Sequence, residues 1–292
     1  MLAAALPLLF LLACGGQPAV PASPEAAVSP TPVETGAEAV VETPEPTPEP
    51  TPESTPEPTP ESTPEPLLIT NEMLDSGTFD GYFDDALFIG DSLTWTFSHY
   101  VRNVRNAGDP DYLGGAKFMG SVSMNTKRAS DNTVVKDGIN FEYRGKSVTL
   151  TEGIQKSGAK KIFLLLGLND LRVRNWDDVL GYFAKIIETV QTECPGVKIV
   201  VQAVLPVRKT FYDREDPDWN SFNVGLKALC EESGVDFLSF AEEVMDENGE
   251  MRADLCGDGK CHLNIEGEEI WVRCLRRYAV MQTHENVVFE TP

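Results

Sequence analysis

Between Thr43 and Pro66 the chain repeats a four-residue unit six times: TPEP, TPEP, TPES, TPEP, TPES, TPEP. Each proline fixes φ and removes an amide donor, so at this density neither a helix nor a sheet ladder can form. Fifteen of the 21 prolines fall between Gln17 and Pro66, together with ten glutamates and no aspartate, lysine or arginine. Residues 15–66 are therefore read as a Pro/Glu/Thr-rich disordered tether, extended towards polyproline II and stiffened by glutamate self-repulsion. At about 3.1 Å per residue, the stretch from Gln17 to Pro66 reaches at most ~155 Å. Such repeats can also be protein ligands or glycan carriers; a spacer is the simpler reading. Folding then falls to the 226 residues from Leu67 onward, enough to bury the core of one α/β domain.

Ahead of the tether, Leu2 to Ala13 is apolar and runs into Cys14. A dozen apolar residues is too short for a bilayer span, which needs about 20, but suits the hydrophobic core of a signal peptide. Leu11-Leu12-Ala13-Cys14 resembles a bacterial lipobox, in which the cysteine becomes the lipid-modified N-terminus. No lysine or arginine precedes the apolar run, which a signal peptide should have; a start codon placed too far downstream would account for that. The alternative is an ordinary cleaved signal with an incidental Cys14. Residues 1–14 are taken as a signal peptide with lipobox, and the body as exported and anchored at a bacterial cell surface by Cys14. The formal charge is −22 and the first lysine or arginine is Arg102. Phosphate-backbone affinity rests on lysine and arginine, so a nucleic-acid partner is not expected.

Beyond Leu67, short apolar runs alternate with amphipathic segments. Ala86–Ile89, Ala116–Met119, Ile162–Leu166, Val197–Leu205 and Val235–Phe240 read as buried parallel strands. Ser92–Arg105, Asp177–Thr192, Trp219–Glu232 and Glu266–Tyr278 read as helices. The alternation predicts βαβ units and a three-layer α/β sandwich around a mostly parallel five-stranded sheet. Phe141, Tyr143 and Val148 around Arg144-Gly145-Lys146 predict a hairpin insertion within Asn132–Leu150. Residues 283–292 are expected to be a frayed tail, leaving 67–282 as the domain.

In such a sheet, ligands bind at the carboxyl ends of the strands. Four motifs stand there or just ahead of the last helix: Gly90-Asp91-Ser92-Leu93, Gly120-Ser121, Gly167-Leu168-Asn169-Asp170, and Asp258-Gly259-Lys260-Cys261-His262-Leu263. Together they resemble the four blocks of the SGNH (GDSL-type) hydrolase superfamily over about Ala86 to Ala279. The resemblance implies a flavodoxin-like fold and a serine esterase with Ser92 as nucleophile and His262 as base. It implies an oxyanion hole from the amides of Ser92 and Gly120 and the side-chain NH2 of Asn169. The chemistry agrees: a serine at a helix N-terminus sits where unpaired amides favour negative charge, and its hydroxyl needs an adjacent base. The resemblance needs no metal or cofactor, and no His/Cys/carboxylate cluster shows metal-ligand spacing in the sequence.

One block departs from the pattern. The orienting aspartate of this superfamily usually lies three residues before the histidine, a position held here by Gly259. Asp258, four before, becomes the third triad member if the loop bulges by one residue; otherwise His262 is held by a backbone carbonyl. His99 and His284 have no motif around them and are read as packing or surface residues. Trp95, Phe97 and Tyr100, on the helix after Ser92, are expected in the core rather than lining an acyl pocket. Cys256 and Cys261 bracket Asp258, and Cys194 and Cys230 end helices; either pair is a candidate disulfide, and free thiols are the alternative. The sequence thus leads to an exported esterase cleaving short-acyl, most simply acetyl, oxygen esters on a small molecule or polysaccharide. A lipase or lysophospholipase, or a non-catalytic carbohydrate-binding or adhesion module on the same fold, are the alternatives.

Overall fold

The computed structural model describes residues 65–171, 175–211 and 219–291. The apolar opening, Cys14 and the repeats up to Pro64 lie outside the described residues.

The body begins with β1 (Leu67–Ile69) and α1 (Asn71–Asp75), capped by Thr70, whose hydroxyl accepts from the Met73 amide. Next come β2 (Ala86–Gly90), α2 (Ser92–Ala107) and β3 (Lys117–Gly120). The short α3 (Thr126–Ser130), the strands β4 (Phe141–Tyr143) and β5 (Lys146–Val148), and α4 (Leu150–Ser157) then carry the chain across to β6 (Lys161–Leu165). The second half is α5 (Leu168–Leu171), α6 (Trp176–Glu193), β7 (Lys198–Gln202), α7 (Trp219–Ser233), β8 (Asp236–Leu238), α8 (Ile265–Thr283) and β9 (Val287–Phe289).

The central sheet has the order β3-β2-β6-β7-β8 with every pair parallel. The five expected strands and four expected helices are all present. α1, α2 and α8 pack together on one side, and α3, α4, α6 and α7 on the other. The chain runs from β2 outwards to β3 and then crosses back to β6 on the other side of β2. The carboxyl end of β2 is therefore the point where strand order reverses, and Ser92 follows it directly.

β2 is buried at all five positions because helices cover both faces of the sheet. Phe88 stacks on Phe163 at 4.7 Å and on Phe118 at 5.3 Å. Between α2 and α8, Phe97 stacks on Trp271 at 4.1 Å, and the Trp271 indole donates to Gln202 Oε1 at 2.7 Å, so that buried N–H is satisfied.

The hairpin insertion forms where expected, as β4 against antiparallel β5. Its two central residues, Arg144 and Gly145, both have positive φ (53° and 72°), the turn whose twist matches paired strands.

The C-terminal expectation needs correction. α8 runs to Thr283, and residues 287–289 do not fray: β9 pairs in parallel with β1, Leu67 opposite Val287 and Ile69 opposite Phe289. The pairing buries Ile69, Leu74 and Val280 in a small second core. Each of these strands pairs with the other from the opposite end of the domain, which hid both of them in the sequence. The same region holds a buried ion pair, Arg276 to Asp80, with two 2.7 Å bonds. Arg276 also donates to the Leu74 carbonyl, and Asp80 accepts from the Leu113 amide. Both charges are thus hydrogen-bonded on several sides, as burial of an ion pair requires.

Candidate active site

Ser92 is the first residue of α2, and Asp91 caps that helix: its Oδ1 accepts from the Leu93 amide at 2.9 Å. The hydroxyl is thereby held at the positive end of a 16-residue helix. Ser92 Oγ lies 2.9 Å from His262 Nε2, although the two residues are 170 positions apart. His262 Nδ1 lies 2.6 Å from Asp258 Oδ2. The open question over the histidine's orienter thus resolves in geometry: the carboxylate of Asp258 occupies Nδ1.

The loop around Gly259 explains the four-residue spacing. Gly259 adopts φ +68°, a conformation that suits glycine, and folds the chain back tightly. Asp258 Oδ1 then accepts from the amides of Lys260 (2.8 Å), Cys261 (2.9 Å) and His262 (3.2 Å). The Gly257 amide donates to the His262 carbonyl and closes the loop. Burial alone would raise the Asp258 pKa; the hydrogen bonds from His262 and the three amides outweigh it and hold this carboxyl well below the usual carboxylate range.

Gly120 ends β3 opposite Gly90 of β2. A Cβ at Gly120 would stand 2.5 Å from the Trp95 amide nitrogen and 2.7 Å from its Cα. Glycine at 120 therefore lets the end of the strand meet the backbone of α2, beside Ser92. Asn169, in α5, donates from Nδ2 to the Met124 carbonyl at 2.9 Å and faces Asp91 Oδ2 at 3.3 Å. Both protons of this NH2 thus have acceptors, the Asp91 bond being the longer of the two.

Asp91 is fully buried. Burial first, and then the neighbouring Asp170, raise its pKa to about 7, against the lowering bond from the Leu93 amide. In the unfolded chain it titrates near the ordinary carboxylate value. From about pH 4 to about pH 7 the folded state thus holds a proton that the unfolded state has lost, and stability falls as pH rises through that window. In Asp91→Asn this term is absent. The stability of the variant relative to wild type is expected to grow by at most about 1.4 kcal/mol per pH unit across that interval. Denaturant midpoints at pH 5 and pH 8 check this; parallel changes in both proteins would refute it.

The cavity over Ser92 and His262 has a volume of about 380 Å³, and its lining includes Trp95, Val122, Asn169 and Phe211. Phe97 is in the core as expected, and Tyr100 is half-buried. Trp95 is not in the core: it is 44% exposed and forms part of the cavity wall. Its place one turn after Ser92 signals this in sequence, because helical side chains lean back towards the N-terminus. His99 rests on Trp95 at 4.0 Å and bonds its carbonyl, and His284 bonds Thr283. His99 thus backs a wall of the cavity, while His284 stands at the end of α8.

The cysteines from 194 onward are free thiols, so neither candidate disulfide forms. No cluster with metal-ligand spacing is visible in the sequence, yet in the structure donor atoms of Asp258, Cys261 and His262 all lie within 4.8 Å of one another. Sequence spacing concealed this, since the three meet only because the Gly259 turn folds back.

Residues 88–270 match the GDSL-like lipase/acylhydrolase family. The chain belongs to that family. No curated protein sequence matches it. Among solved structures, a Bacteroides fragilis NCTC 9343 protein assigned as an acylhydrolase aligns with TM-score 0.54 and 13% identity, covering 68% of this chain and 88% of its own. A GDSL-like lipase from Bacteroides thetaiotaomicron VPI-5482 aligns with TM-score 0.53 and 16% identity, covering 68% and 89%. An acetyl xylan esterase aligns with TM-score 0.50 and 13% identity, covering 66% and 98%. At these identities the structures establish the GDSL-type fold, a parallel five-stranded sheet between helices.

Proposed function

We propose that this family member is an extracytoplasmic serine esterase that releases short acyl groups, acetyl in the simplest case, from oxygen esters on a saccharide. The observation that carries the reading is the continuous relay from Ser92 Oγ through His262 to Asp258, at 2.9 and 2.6 Å. With Asp258 on Nδ1, the imidazole keeps its proton there and presents the Nε2 lone pair to the serine. As Ser92 Oγ attacks the ester carbonyl, its proton passes to Nε2, and the imidazolium is stabilised by Asp258. The same proton then goes to the leaving alcohol, and water repeats the sequence on the acyl-enzyme. The developing oxyanion is met by the Ser92 and Gly120 amides and by the Asn169 NH2, each such donor being typically worth about 2.7–4 kcal/mol of barrier. Attachment through Cys14 and the tether would hold the enzyme off a membrane; this part rests on the lipobox and repeats alone.

Saccharide specificity is supported by the walls of the site. Trp95 offers an exposed aromatic face beside the nucleophile. Beyond Thr96, which borders both, a second cavity of about 510 Å³ runs between α2 and α8. This groove also supports a second reading, a longer-chain lipase, since Val104, Leu263 and Ile265 line it. Its other walls carry His99, Asn103 and Asn264, and Glu268 is buried among them with Oε2 unpartnered. An alkyl chain would leave the buried Glu268 Oε2 without a partner, whereas a hydroxyl could donate to it. A chromogenic acetate is therefore expected to exceed a long-chain ester by at least tenfold in kcat/KM; the reverse order would favour the lipase.

A further inference from the structure

We propose that the histidine end of this site is also a binding site for a thiophilic divalent cation such as Zn2+ or Cd2+, with Asp258, Cys261, His262 and Cys256 as donors. Three of the four already converge, their ligating atoms lying within 4.8 Å of one another. Cys261 Sγ is 3.7 Å from His262 Nδ1. Zinc–sulfur and zinc–nitrogen bonds of ordinary length at a tetrahedral angle put these two atoms about 3.5 Å apart. Cys256 Sγ lies 3.6 Å from Asp258 Oδ1, on the other side of the same carboxylate. The mixed sulfur, imidazole and carboxylate set suits zinc or cadmium rather than magnesium or calcium, which prefer oxygen throughout. The adjustment within the three converged residues is small, while Cys256, outside that group, must turn its thiol towards them. Asp258 Oδ2 and His262 Nδ1 are 2.6 Å apart and share a proton. A cation inserted between them requires a separation of about 3.3 Å.

The proton balance gives this site a consequence. Each thiol loses its proton to solvent as its sulfur–metal bond forms. The neutral imidazole keeps one proton, but with Nδ1 bound to metal that proton must sit on Nε2. The atom facing Ser92 then has no lone pair to accept the serine proton, so the metal-bound form is inactive. Only this inhibition rests on the esterase reading; binding itself does not.

The test uses the full chain, reduced with a phosphine that does not chelate. Titration with Cd2+ is expected to give one tight equivalent with thiolate-to-metal charge-transfer absorption. The inactive Ser92→Ala protein should bind equally well, which separates this site from the question of activity. Cys261→Ser and Cys256→Ala should each weaken binding by at least tenfold. Zn2+ should lower ester hydrolysis by at least tenfold, a chelator should restore it, and in Cys256→Ala the inhibition midpoint, read against that variant's own metal-free rate, should shift upward in step with its binding. An unchanged binding midpoint in either cysteine variant, or saturation without inhibition of an active enzyme, would overturn the proposal.

Discussion

Ser92→Ala is expected to reduce acyl release by about 10⁴-fold or more while leaving the unfolding midpoint nearly unchanged. The two halves of this expectation come from different atoms. Rate is lost because the substitution deletes the oxygen that His262 Nε2 contacts at 2.9 Å, and with it the covalent route. In a well-studied serine protease, removing the nucleophile costs about 2 × 10⁶ in kcat, and what remains comes from binding and the oxyanion donors. Stability is kept because the cap of α2 belongs to Asp91, whose carboxylate takes the Leu93 amide whatever stands at 92. Chromogenic ester hydrolysis together with chemical denaturation measures both. A variant that hydrolyses as fast as wild type would remove the enzyme reading and leave a carbohydrate-binding or adhesion module on this fold. A covalent serine-directed inhibitor mapped to Ser92 by mass should give the same answer by an independent route.

Much of this site was legible in the sequence because its parts sit at strand ends. An apolar run followed by Gly90-Asp91-Ser92 or by Gly167-Leu168-Asn169 marks the edge at which an α/β sheet presents its chemistry. Gly120 was also legible, and the structure supplies a reason for glycine there: the strand end meets the backbone at Trp95. What stayed hidden depends on tertiary closure. Asp80 and Arg276 are 196 positions apart and carry no pattern. β1 and β9 are strands only because each supplies the other's partner. Trp95 reads as core by composition, although its place one helical turn after Ser92 points to the cavity wall where its ring stands. The grouping of Cys261 with Asp258 depends on one glycine taking a left-handed turn, which residue spacing does not encode.

That turn also decides the second large effect. Asp258→Asn is expected to lower kcat by about 10⁴-fold, the scale seen when a triad aspartate is replaced by its amide. The reason can be read from the loop. Three backbone amides, of residues 260, 261 and 262, converge on one oxygen of Asp258 and demand an acceptor there. Asparagine can satisfy them only by turning its carbonyl oxygen towards them, which points its NH2 at His262 Nδ1. An N–H donor at Nδ1 selects the tautomer protonated on Nε2, so the ring faces Ser92 with a hydrogen rather than a lone pair. The geometry survives and the base is lost. A stability readout separates this from unfolding. Because the wild-type carboxyl is held below its ordinary range in the fold, its contribution is present above about pH 4 and disappears as pH falls through the folded-state value. The variant should therefore be less stable than wild type at pH 7, with the gap narrowing towards pH 3, while the kinetic defect remains at every pH where the wild type works. A loss of less than tenfold in a folded variant would mean that this carboxylate does not set the tautomer of His262.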